Sequence, residues 1–106
     1  MKMDELLKRI YYLKSYKGYP YLVSCILKVK EDESRLCGIR KKVYSPVAEE
    51  HGVKLENLEK NLRTMRDTFQ VRGGPEMLER QLGGKMDMVL YPRELIEALA
   101  ECITEL

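Results

Sequence analysis

Apolar residues recur at helical spacing over most of this chain, and the breaks in that spacing divide it into short amphipathic segments. Leu6, Leu7, Ile10 and Leu13 predict a first helix of about three turns that ends near Lys17-Gly18. Pro20 suits a first helical turn, and Leu22, Cys25, Ile26 and Val29 follow at i, i+3, i+4, i+7, which predicts a second helix. The polar run Lys30-Glu31-Asp32-Glu33-Ser34 ends it. A short apolar helix is expected around Leu36 to Val43, with Gly38 weakening its continuity. Pro46 fits the first turn of the next helix, which carries Ala48.

The best-patterned segment comes next. Leu55, Leu58, Leu62, Met65 and Phe69 recur at 3, 4, 3, 4 spacing, so one apolar stripe faces the core and the opposite face stays polar. Gly73-Gly74-Pro75 stops this helix and starts a short one, Glu76 to Leu82, closed by Gly83-Gly84. Met86, Met88 and Leu90 alternate, as in a short extended segment or a packed loop. A loop is expected, because no other segment offers a partner strand. Pro92 opens a last helix with Leu95, Ile96, Leu99, Cys102, Ile103 and Leu106 along one side. The expected fold is all-α, with six or seven helices forming a single domain over residues 1–106.

Within that order, the stretch from Val47 to Arg63 reads as two helices joined by a tight turn. Val47 and Ala48 lie on the buried side of the first helix, and Val53, Leu58 and Leu62 belong to the shared core. Small Ala48 lets the helices approach, and Gly52 supplies the left-handed backbone that the corner requires. This is the layout of a helix-turn-helix, whose second helix commonly enters a DNA major groove.

A hydrophobic content of 44% with 34% charged residues indicates a soluble globular chain rather than a disordered one. The net charge of +2 permits a nucleic-acid partner without arguing for one. Cys25, Cys37 and Cys102 form no C-x-x-C pair, so no zinc or redox motif is present. Each is expected to be a buried free thiol, in keeping with a reducing cytoplasm. Asp4, Glu5, Lys8 and Arg9 among the first apolar residues argue against a signal peptide or a membrane span.

The chemistry on offer is that of binding, not catalysis. The lone His51 has no nucleophile or carboxylate at motif spacing, and it is expected to pack at the end of its helix. Gly73-Gly74 and Gly83-Gly84 match no phosphate-binding loop, and Glu49-Glu50 reads as a solvated face. No cofactor or metal is expected. Cations, by contrast, gather around the motif: Arg35, Arg40, Lys41 and Lys42 before it, Lys54, Lys60, Arg63, Arg66 and Arg72 within or just after it. The polar face of the second motif helix presents Asn57, Lys60, Arg63, Thr64 and Asp67. Asn, Arg and Lys pair with purine edges, and Thr reaches a base or a phosphate. The bland alternative is a solvated helix laced by the pairs Glu56–Lys60 and Glu59–Arg63. The tyrosines crowded near the N-terminus are expected to be packing residues with wet hydroxyls rather than a stacking platform for single strands.

Several motifs together resemble the C-terminal DNA-binding domain of the stage 0 sporulation protein A response regulators. Lys17-Gly18-Tyr19-Pro20-Tyr21-Leu22 is similar to the family's K-G-Y-x-Y-L. Lys41, Tyr44 and Val47-Ala48 resemble K-x-x-Y-x-x-I-A, and Leu58-Glu59-Lys60-Asn61-Leu62-Arg63 resembles V-E-R-A-I-R. Arg72-Gly73 matches its R-G, and Pro92, Glu94 and Ile96 fit its P-x-x-x-E-F-I, one residue shorter. The resemblance spans about Leu7 to Ile103. It implies a six-helix fold with a central helix-turn-helix, a transcription-factor role, DNA binding as a tandem pair, and contact with the RNA polymerase sigma subunit.

Two departures limit what carries over. The family joins this domain to a phosphorylated receiver domain that these 106 residues do not include. On the reading helix, Asn57 and Lys60 stand in place of family arginines and Thr64 in place of a histidine, while Glu59 and Arg63 remain. Lysine lacks arginine's bidentate fork, so base preference or affinity is expected to differ.

The leading expectation is a sequence-specific regulator with helix 55–70 in the major groove of double-stranded DNA. Asn57, Glu59, Lys60, Arg63 and Thr64 would read bases, and Lys41, Lys42, Lys54 and Arg66 would hold phosphates. A homodimer or tandem dimer on DNA and a sigma-subunit contact accompany that reading. The alternative is an interaction module of the same fold that has lost independent DNA binding and acts on a full-length regulator or on RNA polymerase.

Overall fold

Among the described residues, 1–84 and 91–106 of a computed structural model, six α-helices carry the chain. They are α1 (Met3–Arg9), α2 (Tyr19–Glu31), α3 (Ser45–His51), α4 (Leu55–Val71), α5 (Gly74–Leu82) and α6 (Pro92–Cys102). The alternation at Met86, Met88 and Leu90 lies outside the described residues. The architecture is all-α, and the apolar stripes read from sequence converge on one core. Leu22, Cys25, Ile26 and Val29 of α2, Leu58, Leu62, Met65 and Phe69 of α4, and Leu95, Ile96 and Leu99 of α6 are all buried.

α2 runs through the middle and packs against α6, α3 and α4. Gly18, just ahead of α2, makes its close approach to α4 possible. A Cβ there would stand 2.8 Å from the backbone oxygen of Asn61 and 3.0 Å from the Met65 side chain. The chain's two ends meet: the Met1 ammonium donates to the Cys102 carbonyl at 3.0 Å, and the Met3 amide donates to Glu105 O at 3.0 Å.

Four sequence expectations are corrected. The first α-helix has only two turns, because Ile10 leaves helical geometry (φ −108°, ψ 26°) and a 3₁₀ turn, Tyr11–Leu13, follows. That tighter turn still buries Ile10 and Leu13. The segment expected as one helix around Leu36 to Val43 is a 3₁₀ turn, Glu33–Gly38, followed by a π turn, Arg40–Tyr44. Asp32 caps the first of these by accepting from the Ser34 amide at 3.0 Å. Cys37, on that 3₁₀ turn, is exposed, whereas Cys25 and Cys102 are buried as expected. Leu106 is exposed, because α6 ends at Cys102 and the chain turns extended at Ile103.

Candidate nucleic-acid interface

The corner between α3 and α4 has the geometry its sequence demands. Gly52 takes a left-handed backbone, φ 65° and ψ 35°, and its amide bonds back to α3. The Val53 amide donates to Ala48 O at 2.9 Å, closing the turn. Val47 and Ala48 are buried, and Val53 packs half-buried against the core. On the outer side of α3, His51 Nε2 lies 2.9 Å from Ser24 Oγ, and its ring meets Tyr21 edge-on at 5.1 Å. Lys28 of α2 pairs with Glu50. These contacts anchor α3 to α2.

Helical geometry then sorts the α4 side chains. At about 100° per residue, Lys60, Thr64 and Asp67 fall opposite the buried stripe of Leu58, Leu62, Met65 and Phe69, with Arg63 and Asn57 at the two edges of that face. Asn57, Lys60, Arg63 and Thr64 are all exposed, so four of the five expected base readers share one face. The Thr64 hydroxyl rests on Lys60 O at 3.3 Å, and Asn57 offers its backbone carbonyl to the Asn61 side chain at 2.7 Å. Neither Lys60 nor Arg63 forms an ion pair among the described residues. The pairs Glu56–Lys60 and Glu59–Arg63 expected of a laced, solvated helix are therefore not made.

The fifth reader stands apart. Glu59 lies on the flank of α4, half-buried, where Arg40 of the π turn holds its carboxylate at 3.3 Å. Its register predicts this: position 59 falls only about 60° from Leu62 around the helix. The partner, 19 residues away in sequence, was not legible. Of the expected phosphate ligands, Lys41, Lys42 and Lys54 are exposed, Lys54 as the N-cap of α4. Arg66 is half-buried, with its guanidinium on Asp67 at 2.9 Å. The tyrosines divide: Tyr44 is buried, Tyr12 packs beneath Arg72 at 4.8 Å from its ring centre, and Tyr11 and Tyr16 are exposed.

A left-handed glycine corner followed by a helix with an exposed polar face is the layout of a helix-turn-helix domain. Residues 3–103 match the family described as sporulation initiation factor Spo0A C terminal. The chain belongs to that family, whose members are DNA-binding regulatory domains rather than enzymes. No curated protein and no solved structure matches it. No helix among the described residues is long and apolar enough to cross a membrane.

Proposed function

We propose that this chain is a sequence-specific transcriptional regulator that lays α4 in the major groove of double-stranded DNA. The observation that carries the reading is the single exposed face holding Asn57, Lys60, Arg63 and Thr64, with neither cation spent on an ion pair. On this reading Lys60 and Arg63 address purine acceptors, Asn57 addresses an adenine edge, and Thr64 takes a base or phosphate. Lys41, Lys42 and Lys54 hold the backbone on either side. Glu59 stays on the flank of α4, paired with Arg40, and Arg66 is paired with Asp67. Binding as a tandem pair and contact with the sigma subunit, which the resemblance to the family implies, belong to the same proposal.

One observation favours the second reading, an interaction module that acts on a full-length regulator or polymerase. Glu56 and Asp67 are exposed beside Lys60 and Arg63, so the face carries little net charge. Fluorescence anisotropy with a random duplex at low salt separates the two. A regulator binds, and three phosphate-held lysines give a log–log salt slope of about −3. An interaction module shows no binding even at low salt.

A further inference from the structure

We propose that a cleft along the flank of α4 binds a small organic acid, an apolar body carrying one carboxylate. The cleft holds about 720 Å³ and lies between the π turn, α4 and the first turn of α6. Small-molecule sites commonly have this size. Ile39, Leu62 and Pro92 give it apolar walls, against which a flat or branched hydrocarbon body would pack.

Its charge selects an anion. Arg40, Arg63, Arg66 and Arg93 line the cleft with Glu59 and Glu94, and Asp67 and Glu97 pair with two of these arginines from outside it, so the bulk charge is near balance and the selection falls to the arginine left over. Arg40 is engaged by Glu59 at 3.3 Å, Arg66 by Asp67 at 2.9 Å, and Arg93 by Glu97 at 3.4 Å and the Leu36 carbonyl at 3.1 Å. Arg63 has no such partner among the described residues, and its fork matches one carboxylate.

Tyr44 supplies a second donor to the cleft. The ring is buried, with the residue only 6% exposed, and the hydroxyl makes no hydrogen bond among the described residues; it is not sealed from solvent, so it stands at the cleft surface free to donate to a ligand. Burial raises its pKa, as do the neighbouring Cys25 and Glu59, while Arg93 opposes them; the hydroxyl therefore keeps its proton to donate. One guanidinium fork and one hydroxyl donor suit a monoanion. A dianionic phosphate would carry its second charge against Glu59 and Glu94.

Arg63 also belongs to the face laid on DNA above, so a bound acid draws that cation away from the duplex. This coupling rests on the DNA-binding reading, whereas the site itself does not. The probe is 1-naphthoate, titrated into the ¹⁵N-labelled full chain. Saturable amide shifts are expected around residues 39–44, 59–66 and 91–94. Arg63→Ala and Tyr44→Phe should each weaken binding about tenfold, as should replacing naphthoate by neutral 1-naphthalenemethanol. Both variants should keep the wild-type amide pattern elsewhere, which shows that they fold. Shifts scattered over the surface, or equal affinity for the neutral compound, overturn the site. A duplex dissociation constant unmoved by saturating naphthoate overturns the coupling alone.

Discussion

Replacing Gly18 by alanine tests how tightly the reading helix is seated on the body of the domain. The backbone at Gly18 is right-handed (φ −72°, ψ −12°), a conformation any residue adopts. Were space available, alanine would stabilise the fold by about 0.4–1 kcal/mol, because it restricts the unfolded chain. The structure predicts the opposite sign. The new methyl would sit 2.8 Å from Asn61 O, where ordinary contacts begin near 3.4 Å, and 3.0 Å from Met65. The obstruction is main chain in the middle of α4, so it cannot rotate aside. Overpacking of this kind costs about 1–3 kcal/mol, which leaves a net loss of about 1–2 kcal/mol after the entropic gain. In a domain of this length that lowers Tm by roughly 5–15 °C. Thermal unfolding followed by circular dichroism reads it directly, and amide shifts should concentrate on residues 57–65. An unchanged or raised Tm would show that α2 and α4 are not in contact as described.

Three further outcomes follow from the same contacts. Glu59→Gln should change stability by less than about 1 kcal/mol, because its pair with Arg40 is partly exposed, and should tighten duplex binding by removing an anion beside Arg63; loss of sequence preference in a selection from random oligonucleotides would instead make Glu59 a base reader. Iodoacetamide should label Cys37 in the native protein and spare Cys25 and Cys102; mass spectrometry showing rapid labelling of Cys25 would contradict the core. Burial pushes the Cys25 thiol up to about 12 from its ordinary 9.0, so the folded chain keeps a proton that the unfolded chain releases. The stability this represents is intact below about pH 9 and falls by about 1.4 kcal/mol per unit as pH rises towards 12. Cys25→Ala should flatten that part of the curve in urea titrations, and an unaltered slope would place the thiol in solvent.

What the sequence made legible was periodic. The α4 stripe from Leu58 to Phe69, the α2 stripe from Leu22 to Val29 and the Gly52 corner rest on local spacing and on one glycine's backbone freedom, and all three appear in the structure. Around Leu36 to Val43 the spacing of apolar residues does not distinguish an α-helix from the 3₁₀ and π turns found there. The π turn buries Val43 and Tyr44, while the 3₁₀ turn buries none of its residues. On the interface, exposure of Asn57, Lys60, Arg63 and Thr64 followed from register alone. The ties that remove Glu59 and Arg66 from that face did not all follow so simply: Asp67 is adjacent to Arg66, but Arg40 reaches Glu59 only through the tertiary fold. Nothing in the linear order brings Arg93 beside Tyr44 and Arg63, so the cleft was not visible there either.

Amide-shift mapping of the ¹⁵N-labelled chain with a duplex selected from a random pool tests the central assignment most directly. Saturable shifts are expected to centre on Asn57, Lys60, Arg63 and Thr64, with weaker effects at Lys41, Lys42 and Lys54, all fading as salt is raised. Shifts confined to the opposite side of the molecule, or none with any duplex at low salt, would contradict it.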